Sequence, residues 1–585
     1  MSKGWVAVFG KIISIDENRV VLENALKQVR TEYMNFHVVF EGNVKTVGEI
    51  IKINENEIEV LLIGEIVNDI FTPGVNKKPA SIPRIINVHE LELIIGKQAL
   101  TNSTLLVGNS NIYKNYNIFV NVNDIFANHL AIFGNTGSGK SCSAASLLQN
   151  LFYNHKPVNS HFFIFDPYGE YNNAFSNINK NGLHSKVVTT IHKEGIPILK
   201  IPTNFLEVDD LAVLLSVTDS DQIPVLEKTL KLVYIFAGEG EKNKEYKNDI
   251  IAKCLLDILT SGKSSSQMRD QIIAVLSHFS TDELNLNSII KQPGYDRTLF
   301  QCLFIDDQGK MNAILNVTEF LKQFVKVDIE QMQVLTNFTY SLKDLYYALE
   351  FALISEGTLN SGIRYDKNNI LKTRLQSIIN NDYKDIFEST NYMSKEDYVK
   401  SLFSTETNEK AQVVSLDLSN VDDRFAKVLT KILSKIFFTY TTSLDYSVKY
   451  PINIILEEAH RYVQNDLDLD IIGYNIFDRI TKEGRKYGCF LTLISQRPSE
   501  VSQTCLSQCS NFMVFRIFHP KDFNIVRDIN TNVTIDQLNI LKTLKTGSAL
   551  CFGLAFKTPL LAMFNLPDPL PRSSSLKIDN IWYEE

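Results

Sequence analysis

Gly134, Gly139, Lys140 and Ser141 stand in the spacing Gly-x4-Gly-Lys-Ser, the pattern of a loop that cradles phosphates. Glycines let the backbone curl so that successive N–H groups face phosphate oxygens at the positive end of the following helix. On this reading the binding loop is Gly134, Asn135, Thr136, Gly137, Ser138, Gly139, Lys140, Ser141 and Cys142. Lys140 reaches the terminal phosphates, and the Ser141 hydroxyl holds magnesium. A Gly/Ser-rich turn could match by chance. Here, however, the apolar run Leu130 to Phe133 precedes the loop and an amphipathic helix opens at Ala144, which is the strand–loop–helix setting that the motif needs.

A second chemical group lies far downstream. Pro451 to Arg461 is an apolar strand ending in Glu457 and Glu458. Nucleotide chemistry uses one carboxylate to support a hydrated magnesium ion and another to polarise the attacking water. Glu457 suits the first role and Glu458 the second; the competing reading is a surface Glu-Glu pair that begins a helix. A fully apolar strand, Phe490 to Ile494, then runs into Ser495-Gln496-Arg497-Pro498, and Gln496 is placed to read a γ-phosphate. Arg485, in the basic segment before that strand, is either an arginine finger aimed at a neighbouring subunit or a solvated arginine. Asp166 ends the strand His161 to Phe165, and it either orients magnesium or water or caps the turn that follows.

The elements that must position these groups follow from the patterning. Residues 1–105 carry short β-branched runs (Trp5–Phe9, Ile13–Ile15, Val20–Leu22, His37–Phe40, Val47–Ile53, Ile58–Ile63 and one more near Leu91–Ile95) separated by polar turns, which predicts a small β-barrel. Residues 106–205 carry an α/β pattern around the phosphate loop, with edge strands expected at Val187–Ile191 and Pro197–Ile201. Residues 206–404 turn helical: Ile223, Leu226, Leu230 and Val233 recur at helical spacing, as do Ile251, Leu255 and Ile258. Strand character returns in residues 405–570, and 571–585 form a C-terminal arm.

A chain of 585 residues, 44% hydrophobic and 22% charged, is an ordinary multidomain globular protein. The net charge of −8 argues against a protein coated in basic patches, although a channel can still concentrate lysines locally. Seven cysteines without a Cys-x-x-Cys pair, and no His/Cys cluster beside Cys505 and Cys509, point to buried thiols in a reducing compartment rather than a zinc site. No run approaches the length of a membrane span and the N-terminus is no signal peptide, so a soluble, cytoplasmic protein is expected.

The ordered set HLAIFGNTGSGKS (129–141), FDPYGEY (165–171), NIILEEAHRYV (453–463), EGRKYG (483–488), LISQRPSEV (493–501) and GSALCFG (547–553) resembles the HerA branch of the HerA/FtsK superfamily of hexameric DNA-translocating ATPases. The resemblance implies an α/β fold: a RecA-like P-loop NTPase core with an N-terminal small β-barrel and a helical insertion. It implies ATP and Mg2+ as cofactors, a homohexamer with ATP at subunit interfaces, and double-stranded DNA in a central channel. Lys140 and Ser141 carry over for phosphates and metal, Glu457 and Glu458 as the acidic pair, Gln496 as sensor and Arg485 as the trans-acting arginine. Relatives often place His where this chain has Tyr168, and Lys482, Lys486 and Lys521 are candidates for the channel. The resemblance also implies a partner nuclease, or an antiphage effector such as a sirtuin-like enzyme, docked on the barrel side. The alternative is a ring scaffold that uses ATP to assemble and activate such an effector without processive translocation.

Overall fold

The computed structural model describes residues 9–585 apart from 293, 327–336, 360–361, 389–390, 446–449, 467, 530–532, 534, 573–577, 579–581 and 583–585. Contacts divide the chain into two units. One comprises Met1–Thr189, Tyr398–Asn465 and Asn475–Glu585; the other comprises Thr190–Asp397 and Asp466–Tyr474. Among the described residues, no helix is long and apolar enough to cross a membrane.

The first unit opens with strands β1 (Phe9–Asp16), β2 (Arg19–Asn24), β3 (His37–Phe40), β4 (Lys45–Ile53), β5 (Glu57–Val67), β6 (Ile70–Pro73) and β7 (Pro83–Ile85). Alternating residues of these strands, among them Val20, Leu22, Val38, Phe40, Ile58 and Val60, bury a common core. The strand order is β1-β2-β5-β4-β3-β7, with β6 on β5. Among the described residues β1 does not pair with β7, so the expected barrel is an open sheet. β7 is three residues long and starts at Pro83, which has no N–H to donate, and such an edge cannot carry a closing ladder. The expected run Trp5–Phe9 lies outside the described residues except for Phe9. Leu91–Ile95, expected as a strand, belongs to the helix Val88–Ile95. The Asn87 side chain accepts from the Glu90 N–H at 2.8 Å and the Glu90 carboxylate accepts from the Asn87 N–H at 3.3 Å, a capping box that starts a helix there.

Beyond this sheet come β8 (Thr104–Ser110), β9 (Asn117–Asn121), β10 (Leu130–Phe133), β11 (Phe162–Asp166) and β12 (His184–Thr189). The chain then enters the second unit, which is built of helices such as Ile223–Ala237, Glu241–Thr260, Ser265–Phe279 and Leu342–Leu359, with one hairpin, β13 (Ile289–Gln292) and β14 (Tyr295–Thr298). Phe351 packs against Phe236 and Phe279 at ring separations of 5.3 and 5.1 Å, tying three of these helices together. Pro197–Ile201, expected as an edge strand, forms none; the Ile201 N–H instead donates to the Ile386 carbonyl at 2.7 Å. Back in the first unit are β15 (Ala411–Asp417), β16 (Ile452–Leu456), β17 (Cys489–Ser495), β18 (Asn511–Val514), β19 (Ser548–Gly553) and β20 (Phe556–Met563).

The second sheet of this unit has the order β12-β15-β11-β16-β17-β10-β18-β19-β20-β8-β9. From β12 to β18 every pair is parallel, and from β18 onward the pairs are antiparallel. β10, β11, β15, β16, β17 and β18 are buried at every residue, as strands covered on both faces must be. The helices Lys140–His155 and Asp423–Ser443 supply apolar faces for this burial. Parallel strands share one C-terminal edge, where open α/β sheets bind ligands. Cys505 and Cys509 are buried free thiols: the Cys505 Sγ–H donates to Asp478 at 3.0 Å and the Cys509 Sγ–H to the Cys505 carbonyl at 3.5 Å.

A buried carboxyl ties the first sheet to the helix Ile535–Ile540. Glu49 on β4 accepts from the Gln537 side chain at 2.7 Å, and burial pushes its pKa up to about 7. The unfolded group ionises near 4.3, so folding holds a proton on Glu49 between those values. Its contribution is therefore present at low pH and lost as pH rises to 7, a swing of about 3 kcal/mol. The Glu49→Gln variant should gain stability relative to the native protein by roughly that amount between pH 5 and pH 8. Paired thermal or urea melts across that range check this, and a constant difference would rule it out. Comparing the two proteins cancels His37, whose pKa burial lowers to about 4, and the neighbouring Tyr113.

Candidate active site

β10, β16 and β17 end side by side, with β17 between the other two. The phosphate loop leaves β10, the acidic pair leaves β16, and Ser495-Gln496 leave β17. The placement follows from burial: three short, buried and mostly apolar strands are satisfied inside the sheet, and the polar segments that follow them then fall at one edge.

The loop is held on three sides by backbone. The Gly134 N–H donates to the Ser495 carbonyl at 3.3 Å, and the Asn135 N–H donates to the Arg516 carbonyl at 2.9 Å. The Gly547 N–H donates to the Ser138 carbonyl at 2.9 Å, and the Thr546 hydroxyl to the Gly137 carbonyl at 3.4 Å. Gly139 has φ +103°, and a Cβ there would lie 2.9 Å from the Gly547 nitrogen, so both conformation and space demand glycine. Thr136 and Gly137 are exposed at the tip, Cys142 is half-buried in the first turn of the helix, and Ser138 is buried with an unpartnered hydroxyl.

Lys140 is buried and its ammonium donates to the Asn135 carbonyl at 3.2 Å. Burial lowers its pKa, opposed by the charges of Glu457, Glu458 and Glu170. Ser141 Oγ lies 3.2 Å from Glu457 Oε1, although the two residues are 316 apart in sequence. The same hydroxyl faces Glu170. Burial pushes the Glu457 carboxyl up to about 8, and a bond from the Tyr171 hydroxyl to Glu457 Oε2 at 2.7 Å works against that rise. Glu458 is equally buried but stands at φ +51°, ψ +48°, the left-handed region that few non-glycine residues occupy. Its Oε1 accepts from the Gln496 amide, and Gln496 Oε1 accepts from the Thr136 hydroxyl. One side chain therefore links the loop to the second carboxylate. Glu458 Oε2 lies 3.3 Å from His460 Nδ1 and lacks a hydrogen-bond partner.

A hydroxyl, buried carboxylates and two unpartnered carboxylate oxygens, Glu458 Oε2 and Glu170 Oε2, beside a buried lysine form an oxygen-rich donor set that fits a hard divalent cation carried with phosphates. Asp166 serves instead as a cap: its two oxygens accept from the Tyr168 N–H at 3.2 Å and the Tyr171 N–H at 2.8 Å. Arg485 is not brought to this site. It is exposed in the last turn of the helix Ile476–Tyr487, near His129 at the opposite end of β10. The neighbouring Gly484 packs tightly there, since a Cβ would lie 2.3 Å from the Cys489 carbonyl. Tyr171, Glu170, His460, Arg516 and Thr546-Gly547 escaped the residue-by-residue reading, although FDPYGEY, EEAHRYV and GSALCFG had marked three of the segments concerned.

A family described as "Helicase HerA, central domain" matches residues 105–342. The DNA double-strand break repair helicase HerA of Pyrococcus furiosus is 24% identical over 471 residues, covering 80% of this chain and 70% of that protein. A probable helicase of Methanocaldococcus jannaschii is 22% identical over 588 residues, covering 99% of this chain and 87% of that one. The structure of VirB4 of Thermoanaerobacter pseudethanolicus aligns with 80% of this chain and 97% of its own, at 12% identity and a TM-score of 0.43. The family match spans the phosphate loop and the alignments to HerA helicases extend over most of the chain, so this protein is HerA-like, similar to the ATPases of the HerA/FtsK superfamily.

Proposed function

We propose that this protein is an ATP-hydrolysing motor that assembles as a homohexamer and translocates or unwinds double-stranded DNA. The observation that carries the reading is the link Thr136–Gln496–Glu458, which ties the phosphate loop to the second carboxylate. In this reading the core is RecA-like, residues 206–404 are a helical insertion, and residues 1–105 form an interface module built on the open N-terminal sheet. DNA enters because relatives of this chain are named DNA repair helicases.

The backbone from Gly134 to Cys142 would hold the phosphates of ATP, with Lys140 as the charge partner, and Ser141 and Glu457 would hold Mg2+. Magnesium, when bound, neutralises charge on the phosphate oxygens. Glu458 would accept the proton of the attacking water. Gln496 would change partners when a γ-phosphate stands beside Thr136, which reports nucleotide state to Glu458. Arg485 would serve a neighbouring protomer. Lys482, Lys486 and Lys521 are exposed and remain the channel candidates. The protein would act in the cytoplasm beside a nuclease or antiphage effector docked on the N-terminal module.

Steady-state ATP turnover with and without linear duplex DNA tests the motor. Stimulation by DNA of several-fold or more is the expected result. Turnover indifferent to DNA but altered by a co-purified effector would replace the motor with an ATP-regulated ring scaffold.

A further inference from the structure

Glu457 is 2% exposed and Tyr171 is 1% exposed, and the two are 286 residues apart in sequence. Each Glu457 oxygen has its own neutral donor. Ser141 Oγ lies 3.2 Å from Oε1, and the Tyr171 hydroxyl donates to Oε2 at 2.7 Å. Tyr171 is itself immobilised from three directions. Its N–H donates to Asp166 Oδ2 at 2.8 Å, and its ring stacks on Phe175 with centroids 6.3 Å apart and planes 5° from parallel. Its loop leaves β11, which is hydrogen-bonded to β16 with Phe165 opposite Leu456. The Glu457 N–H completes this frame by donating to the Phe165 carbonyl at 3.2 Å.

We infer that Tyr171 is a positioning residue for the metal site: by holding Glu457 Oε2, it turns Oε1 toward Ser141, where the hydrated cation of a metal–nucleotide complex would sit. This rests on the reading of Ser141 and Glu457 as the Mg2+ side of the site. The phenol is buried and bonds the Glu457 oxygen other than the one that faces Ser141, so it acts through Glu457. Glu457 alone can rotate about its side-chain bonds, and a single donor on Oε1 would leave several orientations open. A second donor on the far oxygen removes that freedom before the cation arrives. Partners of this kind behind a metal ligand typically control metal affinity by about 10–100-fold. Asp166 then has a purpose beyond capping, because its bond to the Tyr171 N–H fixes the loop that delivers the phenol.

The test uses the full chain and a fluorescent ATP analogue, titrated with Mn2+ and separately measured in EDTA. Tyr171→Phe keeps the ring and removes only the donor. It should leave the metal-free nucleotide affinity within about twofold of the native value and raise the half-saturating Mn2+ concentration about tenfold or more. In a Glu457→Gln background the same change should have little further effect, since the two residues act as one unit. Native-like Mn2+ saturation in Tyr171→Phe would overturn the inference. So would an equal loss of affinity with and without metal, which would mean that the phenol only packs. Lys140→Ala is the separate control: if it still binds the analogue with native affinity, the reading of the whole site fails instead.

Discussion

Glu458→Gln is expected to bind ATP with near-native affinity and to lose about 10²–10⁴-fold in turnover, the range for removing a general base. Glutamine keeps the length and shape of the side chain and can still meet the Gln496 amide by presenting its oxygen, so the Thr136–Gln496 link survives. What disappears is a group able to take a proton, at the oxygen that has no hydrogen-bond partner. Single-turnover hydrolysis and analogue binding measured on the same preparation separate the two effects. Turnover within tenfold of native would remove Glu458 from the chemistry. The backbone sharpens the case, because Glu458 is held at φ +51°, a conformation that costs of order 1 kcal/mol or more for a residue with a Cβ. Strain of that kind persists where the surrounding fold enforces it.

Arg485→Ala should lower turnover by about 10³–10⁵-fold, the usual contribution of an arginine supplied in trans to phosphoryl transfer. Its exposure at the far end of β10 from its own loop agrees with the proposed role toward a neighbouring protomer. The decisive measurement mixes Arg485→Ala with Lys140→Ala protomers, each inactive alone. An interface that draws its loop from the first and its arginine from the second is intact, so the mixture should recover turnover. Recovery at no ratio would exclude the trans role, and native turnover in Arg485→Ala alone would exclude any role.

The site was legible where chemistry is written in contiguous residues. The phosphate loop, the Glu457-Glu458 pair and Gln496 each sit at the end of an apolar run, and a strand that must be buried announces where its first polar residue will emerge. Tyr171 carried no such signal. Its meaning depends on β11 lying against β16, a pairing across residues 162–456 that nothing local encodes. Leu91–Ile95 reads as a strand from its composition alone, because a short, mostly apolar run suits a strand or a helix equally. The arbiter was Asn87-x-x-Glu90 just ahead of it, a helix start written in the side chains. The closed barrel failed for a different reason. Strand count and spacing can be read from a sequence, but closure depends on the length and donors of the last edge strand, and here that edge begins with proline.

The strand order also sets a schedule for the chain as it leaves the ribosome. The N-terminal sheet finds all its described partners between residues 9 and 85 and can assemble early. β10 has to wait. Its two hydrogen-bonding neighbours are β17, which begins at Cys489, and β18, which begins at Asn511. Until those segments are synthesised, an apolar strand and the loop behind it have no sheet to join, and contacts of such long range are slow to form. A fragment that stops before residue 489 contains every glycine of the loop and its lysine, yet it lacks both strands that hold them in place. The nucleotide site is therefore among the last parts of the molecule to exist, and exposure of β10 during the interval is where assistance against aggregation would matter most.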